Sequence, residues 1–152
     1  MKNPIPHLLA LALGTIACGG APGPEELVKG RDLCVSCRMP VSDPHFAAQI
    51  IAPGALPRFF DDPGCLAEFV KSGQVKESDA VAWVADHRTG AWVRADRAVY
   101  ARVPGLTTPM NHQLVAHESD ASREADPAAK GGQRVPLQEV FGPHGPPGGA
   151  AS

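Results

Sequence analysis

Glycine and proline crowd the two ends of this chain and confine its folded core to the residues between them. The 152 residues include 16 Gly and 16 Pro, which are densest in residues 19–30 and 142–152. Segments so rich in these two residues sustain neither a helix nor a sheet. We therefore expect a linker over residues 18–30, a disordered tail over residues 142–152, and a folded region between them.

Residues 1–17 have the pattern of a bacterial secretory signal, with one charge at Lys2 and an apolar run over residues 8–17. This run is too short to span a bilayer as a mature helix. It ends in small and apolar residues directly before Cys18, as at a lipoprotein processing site. We predict that residues 1–17 are removed and that lipidated Cys18 anchors the protein to a membrane, on the periplasmic face of the cell envelope. The alternative is an ordinary cleaved signal with an incidental Cys18.

Charge and residue pattern exclude several classes of function. The formal net charge is −2, and the Lys and Arg residues are scattered along the chain. A nucleic-acid-binding surface needs basic residues concentrated on one face, so we predict no nucleic-acid partner. No nucleophile stands out with a base and an orienting group, and no carboxylate pair is evident. The chain is therefore predicted to be a binding protein and not an enzyme.

Short apolar runs in the first half predict the order strand, strand, helix, strand. Residues 45–52 and 56–60 flank the turn-forming pair Pro53-Gly54, which indicates a hairpin. Asp62 is a favourable N-cap and Pro63 fits the first helical position, so a helix should begin there and end before Gly73. Residues 80–85 read as the third strand.

The second half repeats this order, although identity between the halves is weak. Strands are predicted over residues 98–103, 112–117 and 134–140. The intervening helix should be capped by Ser119 or Asp120 and limited by Pro127. Trp92-Val93 makes an extra central strand possible. The predicted fold class is α+β, with two small ββαβ units over residues 31–87 and 88–141 that share one core, because neither alone buries much surface.

The cysteines indicate a metal or redox site. Lipidation of Cys18 would leave Cys34, Cys37 and Cys65, an odd number for a disulfide framework in an oxidising compartment. Cys34 and Cys37 can approach one ion from a single turn, and Met39 adds a neutral soft donor, a set that copper(I) favours.

Other uses of the two neighbouring thiols remain open. Zinc prefers four thiolate or imidazole ligands, so a zinc site would need Cys65 with His45 or Asp61. A C-x-x-C redox pair normally sits at a helix N-terminus, whereas a loop is predicted here. A structural disulfide between Cys34 and Cys37 is the simplest alternative.

A second soft group lies at Met110 and His112, in a predicted turn after Pro109. A lone Met usually fills a core, but one between Pro and two polar residues is a better candidate ligand. If the two units bring their loops together, this turn would complete a mixed sulfur and nitrogen site. The remaining histidines are predicted to be ordinary: surface or solvated for His87 and His144, and satisfied or exposed for the strand residues His45 and His117.

Several ordered blocks resemble the NosL family, the lipoprotein accessory factors of nitrous-oxide reductase. These blocks are Cys34-x-x-Cys37-x-Met39, residues 46–50, residues 60–66, Trp92-Val93-x-Ala95, and Thr108-Pro109-Met110. The resemblance covers about residues 31–140. It implies a two-domain ββαβ fold and a periplasmic copper(I) chaperone for the copper-sulfide centre of that reductase.

Two positions depart from the family pattern. Arg38 stands where the family usually has Gly, a residue that allows a positive φ or a close approach to the ion. Asn111 stands where Gly commonly follows the Pro-Met pair. Asn tolerates the left-handed region, so the turn can survive.

Together these patterns predict a copper(I)-binding lipoprotein that delivers copper to a cuproenzyme or its assembly complex, nitrous-oxide reductase first. A thiol-disulfide oxidoreductase and a zinc-stapled structural lipoprotein are the alternatives. The candidate metal ligands are Cys34, Cys37, Met39, Cys65, Met110 and His112.

Overall fold

A computed structural model describes residues 21–148 of the chain. The predicted signal over residues 1–17, the lipidation site Cys18 and residues 149–152 lie outside the described part. No helix within residues 21–148 combines the length and the apolar character that crossing a membrane requires. The elements in chain order are β1 (Ala48–Ile51), β2 (Arg58–Phe60), α1 (Pro63–Lys71), β3 (Val81–Ala85), β4 (Trp92–Arg94), β5 (Val99–Arg102), β6 (Leu114–His117), α2 (Asp120–Glu124), a 3₁₀ turn (Pro127–Ala129), β7 (Gln133–Val135) and α3 (Leu137–Phe141).

The first sheet is antiparallel and has the strand order β2-β1-β3-β4. Ala48 on β1 pairs with Phe60 on one side and with Val84 on the other, so β1 lies at the centre of the predicted unit. The hairpin predicted around Pro53-Gly54 is present. The extra strand suggested by Trp92-Val93 is β4, and it extends this sheet by pairing with β3.

The second sheet repeats the arrangement of the first with the order β6-β5-β7. Its first strand, β5, again lies at the centre, with β6 and β7 on its two edges. The ββαβ parts of the two units therefore have the same element order and the same strand order, and β4 is added to the first sheet. The predicted α+β fold of two small ββαβ units is confirmed.

Side-chain caps start the two predicted helices where the sequence indicates. Asp62 caps α1, with its Oδ1 accepting the Cys65 N–H at 2.9 Å, and Pro63 occupies the first turn. Ser119 caps α2 by accepting the Ser122 N–H at 3.1 Å. Such caps satisfy amide groups that have no partner inside the helix. They also fix the direction in which each helix leaves its strand.

One hydrophobic core joins the two units. Ile50, Phe60 and Leu66 from the first unit belong to the same buried cluster as Tyr100 and Phe141 from the second. The rings of Tyr100 and Phe141 meet edge to face with centroids 5.4 Å apart. Units of this size bury too little surface alone, which explains why they share a core.

The predicted strand over residues 134–140 is wrong beyond Val135. Pro136 separates β7 from α3 and serves as the N-cap residue of that helix. Proline has no N–H for a strand ladder, whereas its fixed φ suits a helix start. The apolar residues Val140 and Phe141 therefore reach the core from a helix.

Parts of the predicted linker and tail lie against the first sheet. The Gln49 side chain accepts the Glu25 N–H at 3.0 Å and donates to the Glu25 carbonyl at 3.1 Å. At the other end the Ala82 N–H donates to the Pro147 carbonyl at 2.8 Å, beside a bridge from Val81 to Gly148. Residues 142–148 thus depart from the predicted disordered tail, because a proline carbonyl still accepts hydrogen bonds although the residue cannot donate them.

Candidate metal centre

The loop carrying Cys34 and Cys37 is a tight hairpin-like turn fixed against β2. Leu33 bridges to Pro40, and the Cys34 N–H donates to the Met39 carbonyl at 2.9 Å. The Val35 N–H donates to the Phe59 carbonyl at 2.9 Å. These backbone bonds hold Cys34 fully buried. As predicted, the C-x-x-C motif lies in a loop and not at a helix N-terminus.

Cys65 lies in the first turn of α1 and joins the two loop cysteines. The sulfur atoms of Cys34, Cys37 and Cys65 all lie within 4.8 Å of one another. Metal–sulfur bonds of about 2.3 Å place the sulfurs of a trigonal site roughly 4 Å apart. All three are free thiols, with Cys34 and Cys65 buried and Cys37 half-buried. The arrangement can hold one ion from two separate elements.

The thiols differ in how readily they ionise. A hydrogen bond from the Cys65 side chain lowers the pKa of Cys34, further aided by the N–H groups of Cys37 and Asp61, although burial opposes ionisation. The same bond and burial raise the pKa of Cys65. Burial also raises the pKa of Cys37. The metal-free cluster therefore favours one thiolate, at Cys34, and metal binding must release the other protons.

The two methionines occupy different environments. Met39 is 53% exposed, and its backbone carbonyl accepts a hydrogen bond from the Cys34 N–H. Met110 is half-buried and packs against the core cluster that contains Cys34 and Cys65. The Met110 N–H donates to Asp62 Oδ2 at 3.1 Å. The structure thus brings the Met110 turn to the start of α1, and ligation by either methionine stays a prediction.

His112 lies beside Cys65, but both of its ring nitrogens lie within hydrogen-bonding distance of carboxylates. Its Nδ1 is 2.9 Å from Asp62 Oδ1 and its Nε2 is 3.1 Å from Glu68 Oε1. One ring nitrogen, the Cys65 sulfur and an Asp62 oxygen form a group within 4.8 Å. Burial disfavours the imidazolium, but the two carboxylates outweigh it and raise the pKa of His112. His112 therefore adjoins one sulfur of the cluster and not all three.

A sequence model of the NosL family matches residues 26–142, more than half of the chain. The chain belongs to the NosL family. No curated protein and no solved structure matches it. NosL proteins are accessory copper-binding proteins and not a known enzyme family, which is consistent with a three-cysteine group that can hold a metal ion.

Both departures from the NosL pattern fall on positions with left-handed backbone. Arg38 has φ 66° and Asn111 has φ 58°, and Gln113 with φ 56° is the other non-glycine residue of this kind among residues 21–148. Glycine adopts such a conformation without penalty, whereas a long side chain is strained there. The turn predicted to survive at Asn111 is present. Backbone strain in this NosL protein therefore concentrates in the two loops that carry the predicted ligands.

Asp62 is the residue whose role the sequence did not reveal. It is fully buried, and besides capping α1 it accepts from the Thr108 hydroxyl at 3.4 Å and contacts His112. Gly64 follows two residues later, and a Cβ there would overlap the His112 ring. An N-cap signal identifies Asp62 as a local feature, but nothing local indicates its partners 46 to 50 residues away.

Proposed function

We propose that this NosL protein binds one copper(I) ion between the sulfurs of Cys34, Cys37 and Cys65 and delivers it to a cuproenzyme under assembly. The observation that carries the proposal is the convergence of three sulfurs from two elements within 4.8 Å. Thiolate and thioether ligands select copper(I), zinc and iron–sulfur clusters, and NosL proteins are accessory copper-binding proteins. The burial of Cys34 and Cys65 in the shared core keeps the bound ion away from water and oxidants.

The donor set favours copper(I) over zinc. Structural zinc sites almost always take four protein ligands, and among residues 21–148 no imidazole or carboxylate joins the three sulfurs at the same spacing. Both nitrogens of the neighbouring His112 already face carboxylates. Copper(I) binds stably to two or three soft ligands, so the three sulfurs suffice and Met110 would be an additional thioether ligand.

The geometry also suits release by ligand exchange. Cys37 is the half-buried member of the cluster, and the exposed Met39 lies two residues away. An incoming sulfur or nitrogen ligand of an acceptor can reach the ion from this side while Cys34 and Cys65 still hold it. The acceptor proposed first is nitrous-oxide reductase or its assembly complex. The proposed place of work is the periplasmic face of a membrane, with the chain anchored through lipidated Cys18.

The test is a competition for copper(I) between the protein and a chromogenic copper(I) chelator under reducing conditions. Replacing a metal ligand should cost more than the 10 to 100-fold loss typical of a residue that only supports a ligand. We expect Cys65→Ser to lower copper(I) affinity by about 100-fold or more, because it removes the ligand that α1 contributes. Ser36→Ala, in the exposed part of the same loop, is the matched control and should bind as the wild type does.

Two outcomes would contradict the proposal. Copper(I) affinity in Cys65→Ser equal to that of the wild type would exclude the three-sulfur site. Stoichiometric zinc retained at the cysteines in the presence of copper(I) would favour a zinc-stapled lipoprotein instead. Transfer is tested separately by mixing the copper-loaded protein with copper-free reductase and measuring copper in each after separation.

A further inference from the structure

A second group of potential ligands lies at the joint between the two sheets, apart from the cysteines. His87 follows β3 in the first sheet, His117 ends β6 in the second, and Asp126 caps the 3₁₀ turn. His87 Nδ1 is 2.6 Å and His117 Nε2 is 2.8 Å from the same oxygen, Asp126 Oδ2. These three atoms all lie within 4.8 Å of one another. The His87 side chain is only 12% exposed, so its predicted surface position is wrong.

The backbone orients all three side chains toward one point. Asp126 Oδ1 accepts the Ala128 N–H at 2.9 Å, which leaves Oδ2 for the imidazoles. The His87 N–H donates to the Ala116 carbonyl at 2.8 Å, directly before His117 in β6. Such outer contacts fix the orientation of ligand side chains.

One nitrogen of the cluster is buried without a hydrogen-bond partner in the described part of the chain. His117 is fully buried, and its Nδ1 has no hydrogen-bond partner among the described residues. A buried polar atom without a partner is costly and calls for an explanation. Nδ1 has no partner within residues 21–148 in either tautomer. No hydrogen bond at Nδ1 therefore determines which ring nitrogen carries the proton. The ring can therefore present the Nε2 lone pair to a cation and loses only its hydrogen bond to Asp126 Oδ2.

We propose that His87, His117 and Asp126 form a second metal site, for a borderline divalent ion of which zinc is the first choice. Two imidazoles and one carboxylate are a zinc ligand set, with bonds of about 2.0–2.2 Å. A tetrahedral ion places neighbouring ligands roughly 3.4 Å apart, so each imidazole nitrogen must move outward from Asp126 by about 0.6–0.8 Å. His87, the one partly exposed ligand, can move outward and leaves room for water as the fourth ligand, whereas the separation from buried His117 requires a shift of the Asp126 carboxylate.

Such an ion would cross-link the two units, because His87 belongs to the first and the other two ligands to the second. The site contains no sulfur, whereas the cysteine cluster contains no nitrogen or oxygen donor. The two sites therefore select different metals by softness. This second site is independent of the proposed copper function, since its residues lie outside the cysteine cluster.

The test is zinc uptake by the full chain after copper(I) has been added to occupy the thiols. We expect one zinc ion per chain to remain after gel filtration, with only nitrogen and oxygen neighbours in zinc K-edge X-ray absorption. His87→Gln should lower zinc affinity by at least about tenfold, because the amide can hydrogen-bond to Asp126 but binds zinc poorly. The matched control is His45→Gln, whose imidazole bonds to the His87 carbonyl outside the cluster, and it should retain zinc.

A second readout separates metal loss from unfolding. Circular dichroism and copper(I) affinity of His87→Gln should match the wild type, and zinc should raise the melting temperature of the wild type and of His45→Gln only. No zinc with nitrogen and oxygen neighbours, or wild-type zinc affinity in a folded His87→Gln, would overturn the proposal. Because the absorption spectrum distinguishes sulfur from nitrogen and oxygen, the result is readable even if copper(I) does not fill the cysteines.

Discussion

At the scale of single residues, the candidate copper site depends on a few buried polar contacts. Asp62 connects the helix turn that carries Cys65 with the turn that carries Met110 and His112. A buried carboxylate is stable only when its oxygens are satisfied, and here the partners come from both units. Asp62 therefore positions candidate ligands without itself being a soft donor.

Met110→Leu separates a ligand from a packing residue, because leucine keeps the volume and apolarity of methionine. A half-buried Met that only packs should tolerate this change with no loss of metal. We expect copper(I) affinity to fall about tenfold or more, while the free energy of unfolding of the apo protein changes by about 1 kcal/mol or less. Chelator competition and urea unfolding measure the two quantities. Wild-type affinity in this variant would leave the cysteines as the only sulfur ligands.

At the scale of elements, a second buried carboxylate ties β3 to α2. Asp86 Oδ2 accepts the Glu118 N–H at 2.8 Å and the Ser122 hydroxyl at 2.6 Å. Its Oδ1 accepts the Thr89 N–H at 2.9 Å in the turn after β3. Burial alone would raise the pKa of Asp86, but these hydrogen bonds outweigh it and lower the pKa to about 2. The carboxylate thus fixes the turn and the neighbouring unit together.

Asp86→Asn tests whether these hydrogen bonds stabilise the contact between the turn after β3 and α2. The amide keeps the shape of the side chain but replaces one accepting oxygen by a donor, so at least one buried N–H or hydroxyl loses its partner. We expect the free energy of unfolding to fall by about 2–3 kcal/mol, in the range for a buried hydrogen bond to a charged group. Asp79→Asn, at an exposed position, is the control and should stay within about 0.5 kcal/mol of the wild type. Equal stability of the two variants in urea would contradict the assigned role.

At the scale of the whole molecule, two units of the same topology share one core, and the candidate copper ligands come from both. Cys34, Cys37 and Cys65 belong to the first unit, while Met110 of the second unit packs against the core cluster that contains Cys34 and Cys65. Because Glu25 is already bonded to Gln49 of β1, only residues 19–24 would separate a lipidated Cys18 from the folded domain.

Cys18→Ala tests the proposed anchor in the full chain. Diacylation of a cysteine adds apolar chains that hold a protein at a membrane, so the wild type should partition with membranes. The variant should be soluble or should remain unprocessed, because the modified thiol is missing. Fractionation and intact mass measure both outcomes, and Cys37→Ala serves as a cysteine control that should keep the anchor. A fully soluble wild type would exclude lipidation.

Local signals in the sequence determined much of this protein, namely the element order, the helix start at Asp62-Pro63, and the soft residues available for copper. Hydrophobic spacing, caps and breakers act within a few residues, so they can be read directly. Pro136 shows the limit of this approach, because an apolar run on both sides of a proline was predicted to be one strand.

Only the tertiary structure decided which residues meet. Cys65 reaches Cys34 and Cys37 because the turn between β2 and α1 places the first turn of the helix under the cysteine loop. The cluster of His87, His117 and Asp126 likewise exists only because the second sheet packs beside the end of β3. Such contacts depend on strand register and on side-chain direction across distant segments, and neither quantity is encoded in the spacing of residues along one segment.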